Sequence, residues 1–480
     1  MLFNSLEFIF FFIFVVMTYY ALPHRKRWIL LLGASYYFYM CWKPEYIILI
    51  IISTLVDYFA AIGMSHSEHG RKKIFLGISL VSNLGILFGF KYFNFFSESL
   101  REVFHSFNLL YNVPHFDLLL PVGISFYTFQ TLSYSIDVYK GQQEPERHLG
   151  IFALYVSFFP QLVAGPIERP SHLIPQFHQE KKFNYGDAVE GMRIMLWGFF
   201  KKCVVADRLA VYVDAVYNNP DHHNGLTLAV ATLFFSIQIY CDFSGYSNIA
   251  IGSARVMGVD LMRNFRRPYF AQSISEFWRR WHISLSTWFR DYLYIPLGGN
   301  RVNTKRRYFN IFTVFLVSGL WHGANWTFVV WGALHGFYLM MGMLLHSPRE
   351  RFKSWLRIEE SLWKQHLLIP CRILFNLIIV CYAWIFFRAN TLSDAWLISS
   401  KIFTEFSGPL YIGTFVAFAN GILAITLLFL AESNQEYFRY KYSPFKSEQY
   451  LIRSISYVSV IILILLLGVF DGGQFIYFQF

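Results

Sequence analysis

SISEFWRRWHISLSTWFRDYLYIPLGGNR, residues 273–301, decides how this chain is read, together with GLWHGANW at residues 319–326. Each stretch sets a histidine directly after a tryptophan, and these histidines, His282 and His322, stand 40 positions apart. Ser273 and Glu276 have the spacing of a capping box, with the serine oxygen taking one free amide and the glutamate returning to the cap. From there Phe277, Trp281, Leu285, Trp288 and Tyr292 fall on one apolar stripe, with Trp278, His282 and Phe289 beside it. Arg280, Ser284, Thr287 and Asp291 fall on the other side. The pattern predicts an amphipathic helix lying along a membrane, its polar side toward headgroups or a wet cleft. Pro296 and the Gly298-Gly299 pair end it.

Residues 308–345 contain no Asp, Glu, Lys or Arg. As one helix this run would measure roughly 57 Å, whereas a bilayer core is only about 30 Å thick. It must therefore break or turn, and Gly319, Gly323 and Asn325 mark the place. A helix entering at Tyr308 carries His322 roughly 20 Å inward. Ionisable groups at that depth are costly and usually line a cavity where they have a task.

Working outward, the composition sets the class. The 480 residues are 55% hydrophobic, 20% aromatic and only 15% charged, which is too apolar for a soluble enzyme and fits an all-α polytopic membrane protein. The net charge of +11 does not imply nucleic acid, because the basic residues cluster in short loops beside apolar spans, as the positive-inside tendency requires. Cys41, Cys203, Cys241, Cys371 and Cys381 are scattered without a CxxC pair and read as structural. The central motifs carry no H-x-x-x-H or H-E pair, so no metal site is expected. GxSxG elbows and P-loops are absent as well.

The expected spans begin with residues 2–22, which lack the positive start of a cleaved signal. His24-Arg25-Lys26-Arg27 follows as a loop, placing the N-terminus outside and the loop in the cytoplasm. Residues 28–42, 46–63 and 74–96 come next, then a polar connection to Asp117. Residues 118–138 and 151–167 are interrupted by Pro121, Gly123, Pro160, Gly165 and Pro166 and read as re-entrant or cavity-lining. Residues 188–205, interrupted by Lys201-Lys202, read as a partial span. Residues 226–241 run into the polar group Asp242, Ser244 and Tyr246. The basic 347–365 loop is placed in the cytoplasm, and residues 371–387, 408–430 and 452–469 complete about eleven crossings. No fixed-period repeat or linker divides the chain, so 1–480 reads as one membrane domain with 273–345 as its core stretch.

Five blocks carry a family resemblance: FFPQLVAGPIERP (158–170), QIYCDFSGYSNIAIG (238–252), FWRRWHISLSTWFRDYLYIPLGGNR (277–301), SGLWHGANWTFVVWGALHG (318–336) and the terminal FIYFQF (475–480). Together they resemble the membrane-bound O-acyltransferase (MBOAT) family, nearest its bacterial alginate O-acetyltransferase branch. The D-alanyl transferase branch shares a WH in the amphipathic helix and a later WHG. YIPLGGNR, WHGANW and FIYFQF favour the acetyl branch. The resemblance implies a ring of tilted helices, with amphipathic and re-entrant helices, around a central tunnel. It implies that His322, the histidine of WHG, is catalytic and that His282 is the second characteristic histidine. It further implies acetyl-CoA as a donor substrate, with no bound cofactor, and an inner-membrane location in a bacterium. A periplasmic or extracellular partner with a serine-hydrolase-like fold would complete transfer to a polysaccharide acceptor.

The chemistry asks for such a residue independently. A hydroxyl attacking a thioester must lose its proton, and a neutral imidazole with an ordinary pKa near 6.5 suits that task. His322 is the expected base. His282 is expected to orient His322 or the acceptor, to assist proton transfer, or simply to anchor its helix. Asn325 is a candidate donor to the developing oxyanion. Trp281 and Trp321 are candidates for substrate contact or plain packing. Asp242, Ser244 and Tyr246 read either as acyl-donor contacts or as a network at a helix bend. Two function classes follow: an acyltransferase acting on an exopolysaccharide or envelope glycan, and a transporter or channel with a histidine-lined pore. A transporter should show two repeated halves, and none is found.

Overall fold

A backbone surrounded by lipid must satisfy its hydrogen bonds within each segment, which favours helices. The computed structural model of this chain has helices as its regular elements and no strand among the described residues. The described residues are all except 117–118, 164, 356–361, 439–444, 446, 471–475 and 477–480. Outside them lie the first residue of the 118–138 span, Ala164 of the 158–170 block, the middle of the 347–365 loop, and the terminal FIYFQF apart from Ile476.

Among the described residues seven helices are long and apolar enough to cross a membrane: Pro44–Ser65, Gly70–Ser106, Gly225–Val256, Trp326–Leu344, Leu367–Arg388, Phe415–Tyr437 and Tyr450–Leu467. Leu6–Ala21 is apolar but shorter. The chain is a multi-pass membrane protein. In Gly225–Val256 78% of the apolar window is buried, against 6% in Tyr450–Leu467, so the first is packed in protein and the second presents its sides to lipid.

Several elements differ from the sequence reading. His24-Arg25-Lys26-Arg27 is the first turn of helix His24–Met40, started by Pro23, whose fixed φ suits a helix entry. Arg27 Nε donates to Leu22 O at 3.0 Å, and its guanidinium lies 4.7 Å over the Tyr19 ring, so the charge is used locally. The fourth span does not stop at Phe96, since a π-turn at Phe88–Tyr92 leads into a helix reaching Ser106. The polar group after Cys241 does not end its helix, because Gly225–Val256 runs unbroken for 32 residues. Other breaks fall where expected. Leu149–Ser157 gives way at Phe158 to the short helix Phe159–Leu162, with Pro160 near its start. Tyr185–Phe199 passes through a π-turn at Phe200–Ala206 that contains Lys201 and Lys202.

The chain forms two compact units, residues 1–195 with 246–262, and residues 196–245 with 263–480. In the first, helices Ile47–Ser65, His69–Leu87 and Ile124–Tyr139 pack around Asp57, whose side chain is wholly buried. Asp57 Oδ1 accepts from Ser79 Oγ at 2.5 Å and Ser135 Oγ at 3.2 Å, and both its oxygens accept from Asn83 Nδ2 at 2.9–3.0 Å. A buried carboxylate is tolerable only with this degree of hydrogen bonding.

The second unit is built on an antiparallel pair, Thr304–His322 and Trp326–Leu344, with Leu362–Arg388 packed on the latter. The break expected at Gly319, Gly323 and Asn325 falls at residues 323–325, while Gly319 lies inside the first helix. The pair is close because glycines face backbone: a Cβ on Gly319 would lie 2.3 Å from Phe328 O, and one on Gly332 2.2 Å from Phe315 O. His322 is the last residue of the first helix and takes its position from that contact.

Candidate functional site

The 273–301 stretch is not one helix. Ser273 caps Ile274–Arg280 by accepting from Glu276 N at 3.2 Å. Glu276 Oε2 accepts from Gln272 N at 2.9 Å, one residue before the cap, so the box is displaced by one position. The chain then breaks at Trp281-His282 and resumes as Ile283–Phe289, followed by a π-turn at Arg290–Tyr294. His282 occupies the left-handed region at φ 42°, which is strained for a residue with a side chain.

Surrounding groups hold that conformation. Ile283 N donates to Asn264 O at 2.9 Å and Arg266 N to Arg280 O at 2.9 Å, pairing the break with the preceding segment. Arg280, read as facing headgroups, instead donates to Glu276 at 2.5 Å and Glu436 at 2.9 Å. Glu436 also accepts from Arg267 at 2.6 Å, so one carboxylate clamps two arginines. Ser284, read as polar-side, is wholly buried and donates its hydroxyl to Asn264 Oδ1 at 2.9 Å. The break rotates the second half-helix, which is why a single helical wheel misplaced Ser284, whereas Arg280 in the first half-helix is drawn in by Glu436.

His282 is wholly buried, and its Nδ1 lies 3.1 Å from Asn264 Oδ1. That oxygen also accepts from the Ser284 backbone N–H at 3.3 Å, which identifies it as the acceptor end of the amide. Nδ1 therefore carries the hydrogen, and the neutral ring keeps its lone pair on Nε2. Burial pushes the imidazole pKa down to about 3, so the ring is neutral at pH 7.

His322 is 3% exposed and stands in an aromatic box, with ring centres 4.9 Å from Trp321, 5.0 Å from Trp331 and 5.3 Å from Phe387. Trp321 is also 6.1 Å from His282, which Phe243 meets edge-on at 4.6 Å and Phe265 stacks against at 6.3 Å. Two histidines 40 positions apart thus flank one indole. Trp281 turns away into packing, 5.1 Å from Trp384 and 5.2 Å from Phe265.

The remaining candidates are spread out. Asn325 caps Trp326–Leu344, its Oδ1 accepting from Thr327 N at 3.0 Å and its Nδ2 donating to Asn390 O at 3.3 Å. Asp242 pairs with Lys202 at 2.6 Å and accepts from Ile476 N at 2.8 Å. Lys202 also meets Asp207 at 2.8 Å, so this buried cluster is an ion network. Ser244 is buried in the same helix, while Tyr246 falls in the first unit, 5.2 Å from Phe3. Sequence reasoning missed Asn264, Ser284 and Glu436 because their roles arise only at the break. It also missed His335, although the ALHG ending of its block was a visible signal.

Comparison with known proteins bears on this arrangement. The model of the MBOAT, membrane-bound O-acyltransferase family matches residues 147–387, a range that includes His282 and His322. The chain is 40% identical to the probable alginate O-acetylase AlgI of Azotobacter vinelandii, over 84% of this chain and 78% of the relative. It is 40% identical to the protein of that name from Pseudomonas aeruginosa, over 84% and 75%. With the peptidoglycan O-acetyltransferase of Helicobacter pylori it shares 36% identity over 82% and 78%.

Proposed function

Since the chain belongs to the membrane-bound O-acyltransferase family and is an acyltransferase, we propose that it takes acetyl from cytoplasmic acetyl-CoA and makes it available for O-acetylation of a glycan outside the membrane. The acceptor class is an exopolysaccharide of the alginate kind or a cell-envelope glycan, as the names of its relatives suggest. Acetyl is favoured over D-alanyl because those relatives are O-acetylases. A periplasmic or extracellular serine-hydrolase-like partner finishes the transfer, and the protein resides in a bacterial inner membrane as one domain with about eleven crossings.

One observation carries the site: His322 and His282 are both buried and flank the same Trp321 ring. His322 acts as general base, taking the proton of the attacking hydroxyl as the carbonyl carbon is attacked and the thiolate leaves. Such a base contributes on the order of 10²- to 10⁴-fold. His282, neutral and fixed by Asn264, is a positioning residue that fixes the Trp321 face of the site. The aromatic box excludes water, which protects the thioester from hydrolysis. Asp242, Asn325 and Trp281 support the site through packing and ion pairing.

The test is turnover of radiolabelled acetyl-CoA by purified protein with the partner present. His322→Ala is expected to abolish thiol release and label transfer while remaining folded, and His282→Ala to retain part of the rate. Wild-type turnover by His322→Ala would refute the base assignment.

A further inference from the structure

Helix Trp326–Leu344 carries Thr327, Trp331 and His335 at intervals of four, which stacks them on one face about 6 Å apart along the axis. They are 1%, 0% and 0% exposed. Thr327 Oγ1, Trp331 Nε1 and His335 Nε2 have no hydrogen-bond partner among the described residues. Burying one such group is costly, and a row of three is hard to account for by packing.

Their chemistry can be assigned. Trp278 Nε1 lies 3.3 Å from His335 Nδ1, and an indole N–H can only donate. Nδ1 is therefore the acceptor, and the neutral ring carries its hydrogen on Nε2. The face thus offers two N–H donors and one hydroxyl, without charge. It borders the reacting centre, because the Trp331 ring is 5.0 Å from His322 and 4.9 Å from His335. One step further along, Leu339 lines a cavity of about 230 Å³ shared with Trp278, Phe315 and Ser318. Ser318 stands one turn before His322 on the facing helix.

We propose that Thr327, Trp331 and His335 form a substrate-binding stripe that hydrogen-bonds a neutral arm bearing oxygen acceptors as it passes from this cavity to His322. The stripe lacks charge, so it selects carbonyl, amide or ether oxygens and not phosphate or carboxylate. Those oxygens belong either to the amide-bearing arm of the acyl thioester or to the acceptor glycan. The inference rests on His322 being the reacting centre.

Thr327→Val replaces a hydroxyl by a methyl of the same shape and should leave the fold intact, whereas Trp331→Phe removes the indole N–H together with part of the ring, and its thermal stability separates a lost hydrogen bond from lost packing. KM is measured for acetyl-CoA and for an alginate oligosaccharide, with the partner present and thermal stability recorded. Each variant should raise one of the two KM values by about 5- to 30-fold, and in Thr327→Val kcat should stay within about threefold of wild type. A rise for acetyl-CoA assigns the stripe to the donor arm, and a rise for the oligosaccharide assigns it to the acceptor. His335→Gln, which keeps a donor and an acceptor, should restore what His335→Leu loses. Unchanged KM values for both substrates in both Thr327→Val and Trp331→Phe would overturn the stripe. A fully active His322→Ala would instead remove the reading beneath it.

Discussion

The contact that sets His322 can be probed by adding single methyl groups along one helix. A Cβ on Gly332 would lie 2.2 Å from Phe315 O, about 1 Å inside ordinary contact, and its neighbour is backbone that has no rotamer to change. Gly332→Ala must therefore push Thr304–His322 away from Trp326–Leu344. Overpacking of this kind costs about 1–3 kcal/mol, and a shift of 1 Å at a reacting group costs about 10²-fold in rate. Gly336→Ala would meet the Phe312 ring at 3.1 Å, a side chain that can yield, so its effect should be small. Gly342 faces open space, and Gly342→Ala should be neutral or stabilise by about 0.5–1 kcal/mol through helix propensity. Thermal unfolding in detergent and acetyl-CoA turnover, measured on all three, should rank them Gly332, Gly336, Gly342 in order of loss. Equal stability and turnover across the series would refute the claim that backbone contact holds His322 in place.

Glu436→Ala leaves Arg267 and Arg280 without their shared carboxylate at 10–15% side-chain exposure, and should cost about 3–5 kcal/mol; a purified variant with wild-type stability and rate would show the clamp to be dispensable. Stability should also fall on acidification through His282. Its folded pKa of about 3 lies below the ordinary 6.5, so its contribution is complete above pH 6.5 and is lost at about 1.4 kcal/mol per unit as pH falls toward 3. His282→Gln should flatten the difference in unfolding temperature between pH 7.5 and pH 5, and an unchanged difference would count against the buried neutral ring. Asp57→Leu strands the donors of Ser79, Ser135 and Asn83, and should reduce the folded yield in membranes sharply; normal yield would show that the network is not needed.

Much of this was legible because lipid narrows the choices. The 308–345 run is too long for one crossing, and its break at residues 323–325 follows from bilayer thickness and from Gly323 and Asn325. The outer start of the pair was not legible, since the first helix begins at Thr304 and takes in Lys305, Arg306 and Arg307 rather than starting at Tyr308. The 273–301 stretch was not, since its apolar stripe fits a continuous wheel. What breaks it is Asn264, nine residues before Ser273, together with Glu436, 154 residues beyond His282. No local pattern encodes those contacts. The basic run at residues 24–27 misled for the opposite reason, because charge marks a membrane boundary equally well from a loop or from a helix's first turn.

The sequence by itself determined the class, the helical character, the acyltransferase family and the two histidines, because hydropathy and motif are properties of contiguous residues. Only the tertiary structure decided that His282 sits in a strained turn with its hydrogen on Nδ1, that it meets His322 across Trp321, and that Glu436 holds two arginines beside it. Those features depend on which distant side chains share a buried volume, where an unpaired polar group is costly and each partner must be found in space.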